Sequence, residues 1–196
     1  MPDKEPLPPS DQALLERCRD GDERAFRVIV DRYHGKLLAT ATGMLGPGGD
    51  AEAVVQDGLL RFYRGVGKFE GRSSLGTYLT RIVMNQALKR LRQRQRWYHR
   101  FLSSDDPEQR VAEAADPTEV RLVEETERAE QIRAAVQQLS PEFRSVVVLR
   151  FLNELSTEEC ARVLGIPPGT VMSRLSRALD KLAPLLKGIN QLSRSQ

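Results

Sequence analysis

Residues 156–182, STEECARVLGIPPGTVMSRLSRALDKL, have the spacing of a helix-turn-helix. Ser156 and Glu159 are placed to form a capping box at the start of a short first helix, and Gly165 permits the left-handed turn that ends it. Two prolines then lead into a second helix. The apolar stripe that this second helix is predicted to bury consists of Val171, Leu175, Leu179 and Leu182.

The remaining positions of the second helix carry hydroxyl, basic and thioether side chains. Hydroxyls and arginines near the start of such a helix suit the major groove of duplex DNA, where they reach base edges and phosphates. An ordinary helical hairpin with a solvated basic face fits the same pattern, because many helix pairs turn on a glycine. The candidate DNA contacts are Thr170, Met172, Ser173, Arg174, Arg177 and Lys181.

Outward from this segment, the chain is predicted to be helical throughout. Asp11, Asp22 and Asp50 are expected as helix N-caps, and Ser74 as the start of a fourth helix. Ser140 followed by Pro141 begins the helices of the second half. The apolar stretch predicted just after this start comprises Val146, Val147, Leu149, Phe151 and Leu152.

Residues 103–118 separate the two helical halves, because Asp, Glu, Ala and Pro replace the apolar pattern there. The predicted fold class is therefore all-α, with two helical domains joined by a flexible acidic linker. Fully extended, residues 103–126 reach about 80 Å, which is enough to separate two DNA contacts. The predicted division is an N-terminal tail (1–9), a first domain (10–102), a linker (103–127), a second domain with the helix-turn-helix (128–187) and a C-terminal tail (188–196).

The net charge of +3 is unevenly distributed. Residues 71–104 contain eight basic residues and no acid, whereas residues 105–130 contain ten acids and three arginines. This pattern indicates a polyanion-binding face beside a segment that avoids or imitates the polyanion, although two solvated faces would also explain it.

Aromatic side chains lie in or around the basic stretch, and aromatics beside cations can stack on unpaired bases while arginines follow phosphates. Single-stranded nucleic acid is therefore a predicted target. Tyr78 also has helical spacing with Ile82, which favours a core role for it, and Phe69 fits the role of a loop anchor equally well. Trp97 is the better exposed candidate, although it can also seal the end of its helix.

Several classes of protein are not favoured. The apolar stretches are too short to cross a bilayer and the N-terminus is not a secretory signal, so we expect a cytoplasmic protein. Cys18 and Cys160 lie in helical patterns and are expected to be reduced, buried thiols. There is no phosphate-binding loop or metal-ligand spacing, and His34 and His99 are isolated, so we expect no metal, no cofactor, no small-molecule substrate and no enzyme activity.

Two segments together resemble a known family. DAEAVVQDGLLRFYRGVGKFEGRSSLGTYLTRIVMNQALKRLRQRQR (50–96) resembles the second region of extracytoplasmic-function sigma factors of the sigma-70 family. LSPEFRSVVVLRFLNELSTEECARVLGIPPGTVMSRLSRALDKL (139–182) is similar to their fourth region. The order and spacing also match. The resemblance implies a factor that brings core RNA polymerase to promoter DNA and helps to melt it, in place of a stand-alone helix-turn-helix regulator.

The resemblance also implies residue roles. The polymerase clamp helices would be contacted by Asp50, Glu52, Gln56 and Asp57. The minus-10 element, with one base outside the stack, would be recognised by Phe69, Arg72, Ser73, Ser74, Thr77, Arg81, Asn85, Arg92 and Trp97. The minus-35 element would be read by the second helix of the helix-turn-helix, and the linker would lie near the RNA exit path. An anti-sigma factor, commonly linked to the inner membrane, is an implied partner.

Three positions depart from the family pattern. Family members usually have Trp at Tyr78, a larger or basic residue at Gly76 and Lys at Met172. The last difference puts the minus-35 sequence preference in doubt.

Overall fold

The computed structural model of the chain describes residues 9–101 and 123–192, which are helical and contain no strand. The all-α fold class is confirmed. The helices are α1 (Asp11–Arg19), α2 (Glu23–Leu45), α3 (Gly49–Arg64), α4 (Leu75–Phe101), α5 (Val123–Gln137), α6 (Pro141–Val147), α7 (Thr157–Leu164) and α8 (Pro168–Leu192). A 3₁₀ turn (Val66–Lys68) follows α3, and a π-helical turn (Val148–Leu152) follows α6.

The helix ends differ from two of the predicted domain boundaries. The linker was expected to extend to residue 127, but α5 already begins at Val123. The C-terminal tail was expected from residue 188, but α8 continues to Leu192. Most of the linker and most of the N-terminal tail lie outside the described residues.

Two of the four N-terminal caps predicted for the first half are confirmed. The Asp22 carboxylate accepts from the Arg24 and Ala25 amides at 2.8 and 3.3 Å. The Ser74 hydroxyl accepts from the Thr77 amide at 3.1 Å. Each cap satisfies amide groups that have no partner within the helix.

The other two are wrong. Ser10 caps α1, and Asp11 instead accepts from Arg32 Nη1 and the Tyr33 hydroxyl, each at 2.5 Å. The residue before α3 is Gly48, which makes no side-chain cap, while Asp50 lies inside the first turn. In both cases the carboxylate pairs with a group on another helix, which a local sequence pattern does not reveal.

The first half packs α2, α3 and α4 against one another, with α1 against α2. Two glycines allow the close approaches. A Cβ at Gly58 would lie 3.0 Å from Val83 Cγ2, where α3 meets α4. A Cβ at Gly76 would lie 3.0 Å from the Tyr33 ring, so the tyrosine fills the space that a larger side chain would need.

The helix-turn-helix forms as predicted. Ser156 and Glu159 make the capping box, and Gly165 adopts φ of +67° at the end of α7. Val171 and Leu182 of α8 are buried, but Leu179 is 44% exposed and Ala178 takes its place inside. The prediction for Leu179 is wrong. The buried side of α8 is formed by Val171, Ala178 and Leu182, which are spaced by seven and four residues and therefore lie on one side of the helix.

The apolar stretch after Ser140 is only partly buried. Val146, Val147 and Leu149 are buried, whereas Phe151 and Leu152 are 61% and 47% exposed. Residues 148–152 form the π-helical turn, which changes the helical register of these last two side chains. The last two residues of the predicted apolar stretch therefore lie outside the core.

Two clusters of buried apolar side chains exist, but their boundary does not follow the two halves of the chain. The larger cluster contains the core of α1–α4 and continues into the second half through Val146, Val148, Leu149, Leu155, Cys160, Ala161, Val163 and Val171. The smaller cluster consists of Ala135, Leu139, Val147, Ala178 and Leu182. Within the described residues, the two helical halves therefore share the larger of the two buried clusters.

The thiols of Cys18 and Cys160 are both free and buried, as expected. Burial raises the pKa of the Cys160 thiol to about 11 and also raises the pKa of Cys18. Within residues 9–101 and 123–192, no helix combines the length and hydrophobicity that crossing a membrane requires.

Candidate functional site

A cleft of about 510 Å³ lies between the end of α3, the 3₁₀ turn and α4. Tyr78, Ile82 and Asn85 line its α4 side. The cations along it are Arg61, Lys68, Lys89 and Arg92. An amide side chain that can both donate and accept thus lies beside an aromatic side chain and four positive charges.

Predicted minus-10 residues on α4 follow the exposed side of this helix. Arg81, Asn85 and Arg92 are exposed at steps of four and seven residues, which places them along one side. Trp97 is 56% exposed further along α4, but it lies about 140° around the helix from Arg92. The structure therefore brings Arg81, Asn85 and Arg92 onto one side of the helix beside the cleft and places Trp97 on another side.

The loop before α4 is less exposed than predicted. Phe69 is only 7% exposed, and its ring centroid lies 4.9 Å from that of Tyr78. Its carbonyl accepts from Arg19 Nη2 at 2.8 Å, which attaches the loop to α1. Thr77 is 6% exposed, and its Oγ1 lies 2.9 Å from Ser74 Oγ. Phe69 and Thr77 therefore shape this loop from the interior.

The outer residues of the same loop are accessible. Ser74 is exposed and Ser73 half-buried. The Arg72 side chain is 86% exposed and pairs with Glu70 at 2.5 Å. An exposed ion pair of this kind contributes little to stability, so Arg72 can exchange its carboxylate for a phosphate at small cost.

The predicted polymerase contacts divide between two flanks of α3. On the flank toward α4, Asp50 accepts from Arg90 Nη2 at 2.6 Å and also pairs with Arg94. The hydrogen bond from Arg90 is the main cause that lowers the pKa of Asp50. Asp57 lies on the same flank, lining a shallow pocket of about 150 Å³ with Asp50.

On the flank toward α2, Glu52 Oε1 lies 3.0 Å from His34 Nε2 and accepts from Gln56 Nε2 at 3.3 Å. The hydrogen bond with His34 is the main cause that lowers the pKa of Glu52. Gln56 itself is exposed. The four predicted contacts thus share one helix, but Asp50 is already paired within the chain.

The predicted minus-35 residues lie on α8, and most of them share one side. Thr170, Arg174 and Arg177 are spaced by four and three residues, and Ser173 lies beside them. Met172 is 64% exposed but lies about 160° around the helix from Arg174. The shared side is thus hydroxyl and cationic, without the methionine.

Two of these cations already have partners in the second half. Arg174 Nη2 lies 4.0 Å from Glu142 Oε2, and Lys181 Nζ lies 5.8 Å from the centroid of the Phe143 ring. Both partners belong to α6. Contacts with α6 therefore hold Arg174 and Lys181 near the predicted DNA-binding side of α8.

Sequence reasoning missed Arg61 and Lys68 as members of the candidate site. They belong to α3 and the 3₁₀ turn, so no periodicity on α4 points to them. Their positive charge just before the predicted loop was the only available signal. Among the described residues, no cluster of metal-ligating side chains was found.

Comparison with known families identifies both halves. The Sigma-70 region 2 family matches residues 29–97, and the Sigma-70 region 4 family matches residues 129–182. Neither is a family of enzymes, and the pairing of the two is that of a sigma factor, which disfavours a stand-alone regulator.

Two solved structures share the fold over most of the chain. The first is CnrH in complex with the cytosolic domain of CnrY, with a TM-score of 0.65, 25% identity and coverage of 91% of this chain and 97% of that chain. The second is the sigma factor RpoE in complex with the anti-sigma factor NepR from Bartonella quintana, with a TM-score of 0.64, 26% identity and coverage of 83% and 96%.

Curated relatives cover nearly the whole length. The chain is 34% identical over 187 residues to the RNA polymerase sigma-H factor of Pseudomonas aeruginosa, a match that spans 90% of this chain and 96% of the relative. It is 33% identical over 191 residues to the ECF RNA polymerase sigma-E factor of Escherichia coli K12, spanning 91% and 97%. The chain therefore belongs to the extracytoplasmic-function group of the sigma-70 family, whose members direct RNA polymerase to promoters.

Proposed function

We propose that this sigma factor reads the minus-10 element with its first region, residues 10–102, and the minus-35 element with its second region, residues 128–187. The observation that carries this proposal is the difference between the two candidate surfaces. The first is a cleft with an amide, a tyrosine and four cations. The second is the hydroxyl and cationic side of α8, the second helix of the helix-turn-helix.

At the minus-10 element, the cleft beside Asn85 receives a base of the non-template strand outside the stack. The Asn85 amide is exposed and offers both a donor and an acceptor to a base edge. The surrounding cations follow the phosphates, and Trp97 stacks on an unpaired base. Phe69 and Thr77 act from the interior by holding the loop that carries Arg72, Ser73 and Ser74.

At the minus-35 element, α8 enters the major groove. Thr170 and Ser173 lie in its first two turns, where hydroxyls reach base edges and phosphates. Arg174 and Arg177 contact bases or phosphates, and Arg174 leaves Glu142 to do so. Lys181 contacts the phosphate backbone, while Met172 makes an apolar contact at the edge of the surface.

Docking to core polymerase uses α3. Gln56 and Asp57 are exposed and have acceptors for basic groups on the clamp. Asp50 contributes after exchanging Arg90 or Arg94 for a polymerase cation. We place the protein in the cytoplasm, held near the inner membrane by an anti-sigma factor when inactive; the CnrH and RpoE structures are both complexes with a second protein.

The proposal is tested by run-off transcription with purified core polymerase on the promoter of the protein's own gene. Asn85→Ala and Trp97→Ala are expected to weaken open-complex formation more than binding to closed duplex. Gln95→Ala, an exposed neighbour on α4, is the matched control. Equal losses in both assays would contradict the assignment of the first region to strand separation.

Docking is tested separately with the double variant Gln56→Ala and Asp57→Ala. It is expected to lower the affinity for core polymerase while the helix content measured by circular dichroism stays unchanged. An unchanged affinity would refute the role of α3.

A further inference from the structure

The predicted minus-10 loop, residues 69–74, makes few hydrogen bonds between its two ends. Within the part of the chain that the structure describes, no backbone hydrogen bond joins residues 70–73 to any other residue. The Ser73 hydroxyl donates to the neighbouring Ser74 carbonyl at 3.3 Å, and Arg72 pairs with Glu70 inside the loop. Gly71 has φ of +71°, a left-handed conformation that glycine adopts without steric cost. The position of the loop therefore depends on how its two ends are fixed.

The later end of the loop is fixed by the start of α4. The Ser74 hydroxyl accepts from the Thr77 amide at 3.1 Å. Just after this cap, a Cβ at Gly76 would lie 3.0 Å from the Tyr33 ring of α2, and the Tyr33 hydroxyl donates to Asp11 of α1. The first turn of α4 is thus held by contacts that do not involve residues 70–73.

The earlier end of the loop is fixed from α1. Arg19 is the last residue of α1, and its Nη2 donates to the Phe69 carbonyl at 2.8 Å. Among the described residues, this carbonyl accepts no backbone hydrogen bond. The Phe69 amide donates to the Val66 carbonyl at 3.2 Å, which keeps it within the preceding 3₁₀ turn. Arg19 therefore supplies the hydrogen bond that attaches the first peptide of the loop to another helix.

The helix that carries Arg19 is itself firmly packed. Leu14, Leu15 and Cys18 of α1 are buried, and α1 packs against both α2 and the 3₁₀ turn. Arg19 is exposed, so it acts through a directed hydrogen bond and contributes no burial to the core. A guanidinium donates from a rigid planar group, which restricts where its acceptor can lie. Substitution of Arg19 is therefore expected to release the loop without unfolding the region.

We propose that Arg19 is a positioning residue for recognition of the minus-10 element. It acts through the Phe69 carbonyl, which sets where Arg72, Ser73 and Ser74 meet the base held outside the stack. Arg19 does not itself contact the DNA. This role rests on the proposed function, because the position of the loop matters only where the loop reads a base. The attachment of the loop to α1 rests on the geometry alone.

The test compares Arg19→Ala with Arg19→Lys and Arg27→Ala, each in the complete holoenzyme. Arg27 is an exposed arginine of α2, so its variant removes the same charge away from the loop. The probes are labelled single-stranded non-template DNAs with the minus-10 element of the promoter of the protein's own gene. Each of the four bases is placed in turn at each position of the element. Fluorescence anisotropy then gives the selectivity, which is the ratio of affinities for the preferred base and for the other three.

Arg19→Ala should lower the selectivity at the captured base by about threefold to tenfold, which corresponds to the net contribution of one hydrogen bond. Arg19→Lys should restore part of it, because lysine keeps the charge and a donor but lacks the planar guanidinium. Arg27→Ala should leave the selectivity unchanged. All three variants should bind minus-35 duplex as the wild type does, whereas a general loss of stability would weaken binding to both DNAs.

Hydrogen exchange of the free full-length chain, followed by NMR, tests the attachment without DNA. The Lys68 and Phe69 amides donate within the 3₁₀ turn at 2.9 and 3.2 Å, so their exchange reports how well the start of the loop is held. Arg19→Ala should accelerate this exchange by about threefold to tenfold, again the equivalent of one hydrogen bond. Helix content should stay unchanged, and Arg27→Ala should exchange as the wild type does.

Two results would overturn the positioning role. An equal loss of affinity for all four bases in Arg19→Ala would show that Arg19 contacts a phosphate directly. Unchanged selectivity in Arg19→Ala, with or without faster exchange, would show that the bond to Phe69 does not affect base reading. A wild-type holoenzyme without any base preference in the minus-10 element would instead refute the proposed function, and the exchange comparison would still decide whether Arg19 holds the loop.

Discussion

The two regions differ in where they bury their apolar side chains. The first region surrounds large residues such as Phe62, Ile29 and Met84 with its own helices. The second region has a small cluster of its own and places Leu149, Cys160 and Val171 in the cluster that it shares with the first. The second region therefore obtains much of its burial from the first.

This asymmetry has a thermodynamic consequence. Apolar burial is the main favourable contribution to folding, and small domains have little of it to spare. A region that completes its core on a neighbour is stabilised only while the contact persists. Opening of the chain is thus expected to loosen the second region more than the first.

The largest expected effect concerns the core of the first region. Phe62 is 1% exposed, and Phe62→Ala should lower the free energy of unfolding by about 3–5 kcal/mol, because a large cavity remains. Because the main cluster is shared, urea unfolding should show one transition for both regions. Leu60→Ala, at a 48% exposed position on the same helix, is the control. Two separated transitions would show that the two regions do not depend on one shared core.

The next effect separates the two DNA surfaces. Arg174→Ala should weaken binding of the holoenzyme to minus-35 duplex by about 1–3 kcal/mol, without changing its binding to single-stranded minus-10 DNA. Asn85→Ala should show the opposite pattern. Fluorescence anisotropy with the two labelled DNAs measures both, and Lys187→Ala, an exposed change further along α8, is the control. Parallel losses on both DNAs would mean that the surfaces are not independent.

A smaller effect is expected at the turn of the helix-turn-helix. Gly165→Ala should destabilise the protein by about 1–2 kcal/mol, because its φ of +67° is unfavourable for a side chain. Gly169→Ala should instead stabilise it by up to about 1 kcal/mol, since alanine favours a helix. A Cβ meets nothing within 4 Å at either position, so the pair isolates the backbone effect. Thermal unfolding is the measurement, and equal shifts for the two variants would contradict this explanation.

The smallest effect depends on pH. The hydrogen bond from Arg90 lowers the pKa of Asp50 in the folded state. The pair therefore stabilises the protein above the unfolded pKa of about 3.9, and this contribution disappears as pH falls through the lower folded value. Asp50→Asn should cost less than about 1 kcal/mol at pH 7, because the pair is partly solvated.

The difference between wild type and Asp50→Asn in urea unfolding should thus vanish in strong acid. Asp31→Asn, at an exposed position of α2, is the control for the general loss of a negative charge. A difference that persists in acid would show that Asp50 acts through packing.

Local sequence patterns predicted the features that depend on near neighbours. The capping box at Ser156, the cap at Asp22 and the turn at Gly165 each involve groups within a few residues. Interactions at long range were not predictable in this way. Asp50 was expected as a cap but pairs with Arg90, forty residues away, and Asp11 pairs with Tyr33.

The candidate site shows the same limit. The resemblance to a sigma factor implied Arg81, Asn85 and Arg92 as minus-10 contacts, and the structure places the three on one side of α4. Phe69 and Thr77 were expected at the DNA surface, and only packing reveals that they are interior. Arg61 and Lys68 were missed because they approach the cleft from other elements.

The sequence by itself determined the helices, the caps at Asp22, Ser74 and Ser156, the helix-turn-helix and the likeness to a sigma factor, since these depend on local periodicity and motif spacing. The tertiary structure decided which apolar residues are buried, which carboxylates are already paired and how the two regions meet. Gly43 illustrates the difference. In the sequence it is a residue of low helix propensity within a predicted helix, and in the fold it allows Val148 to approach α2 closely. Such contacts join residues about a hundred positions apart, and a local pattern carries no information about them.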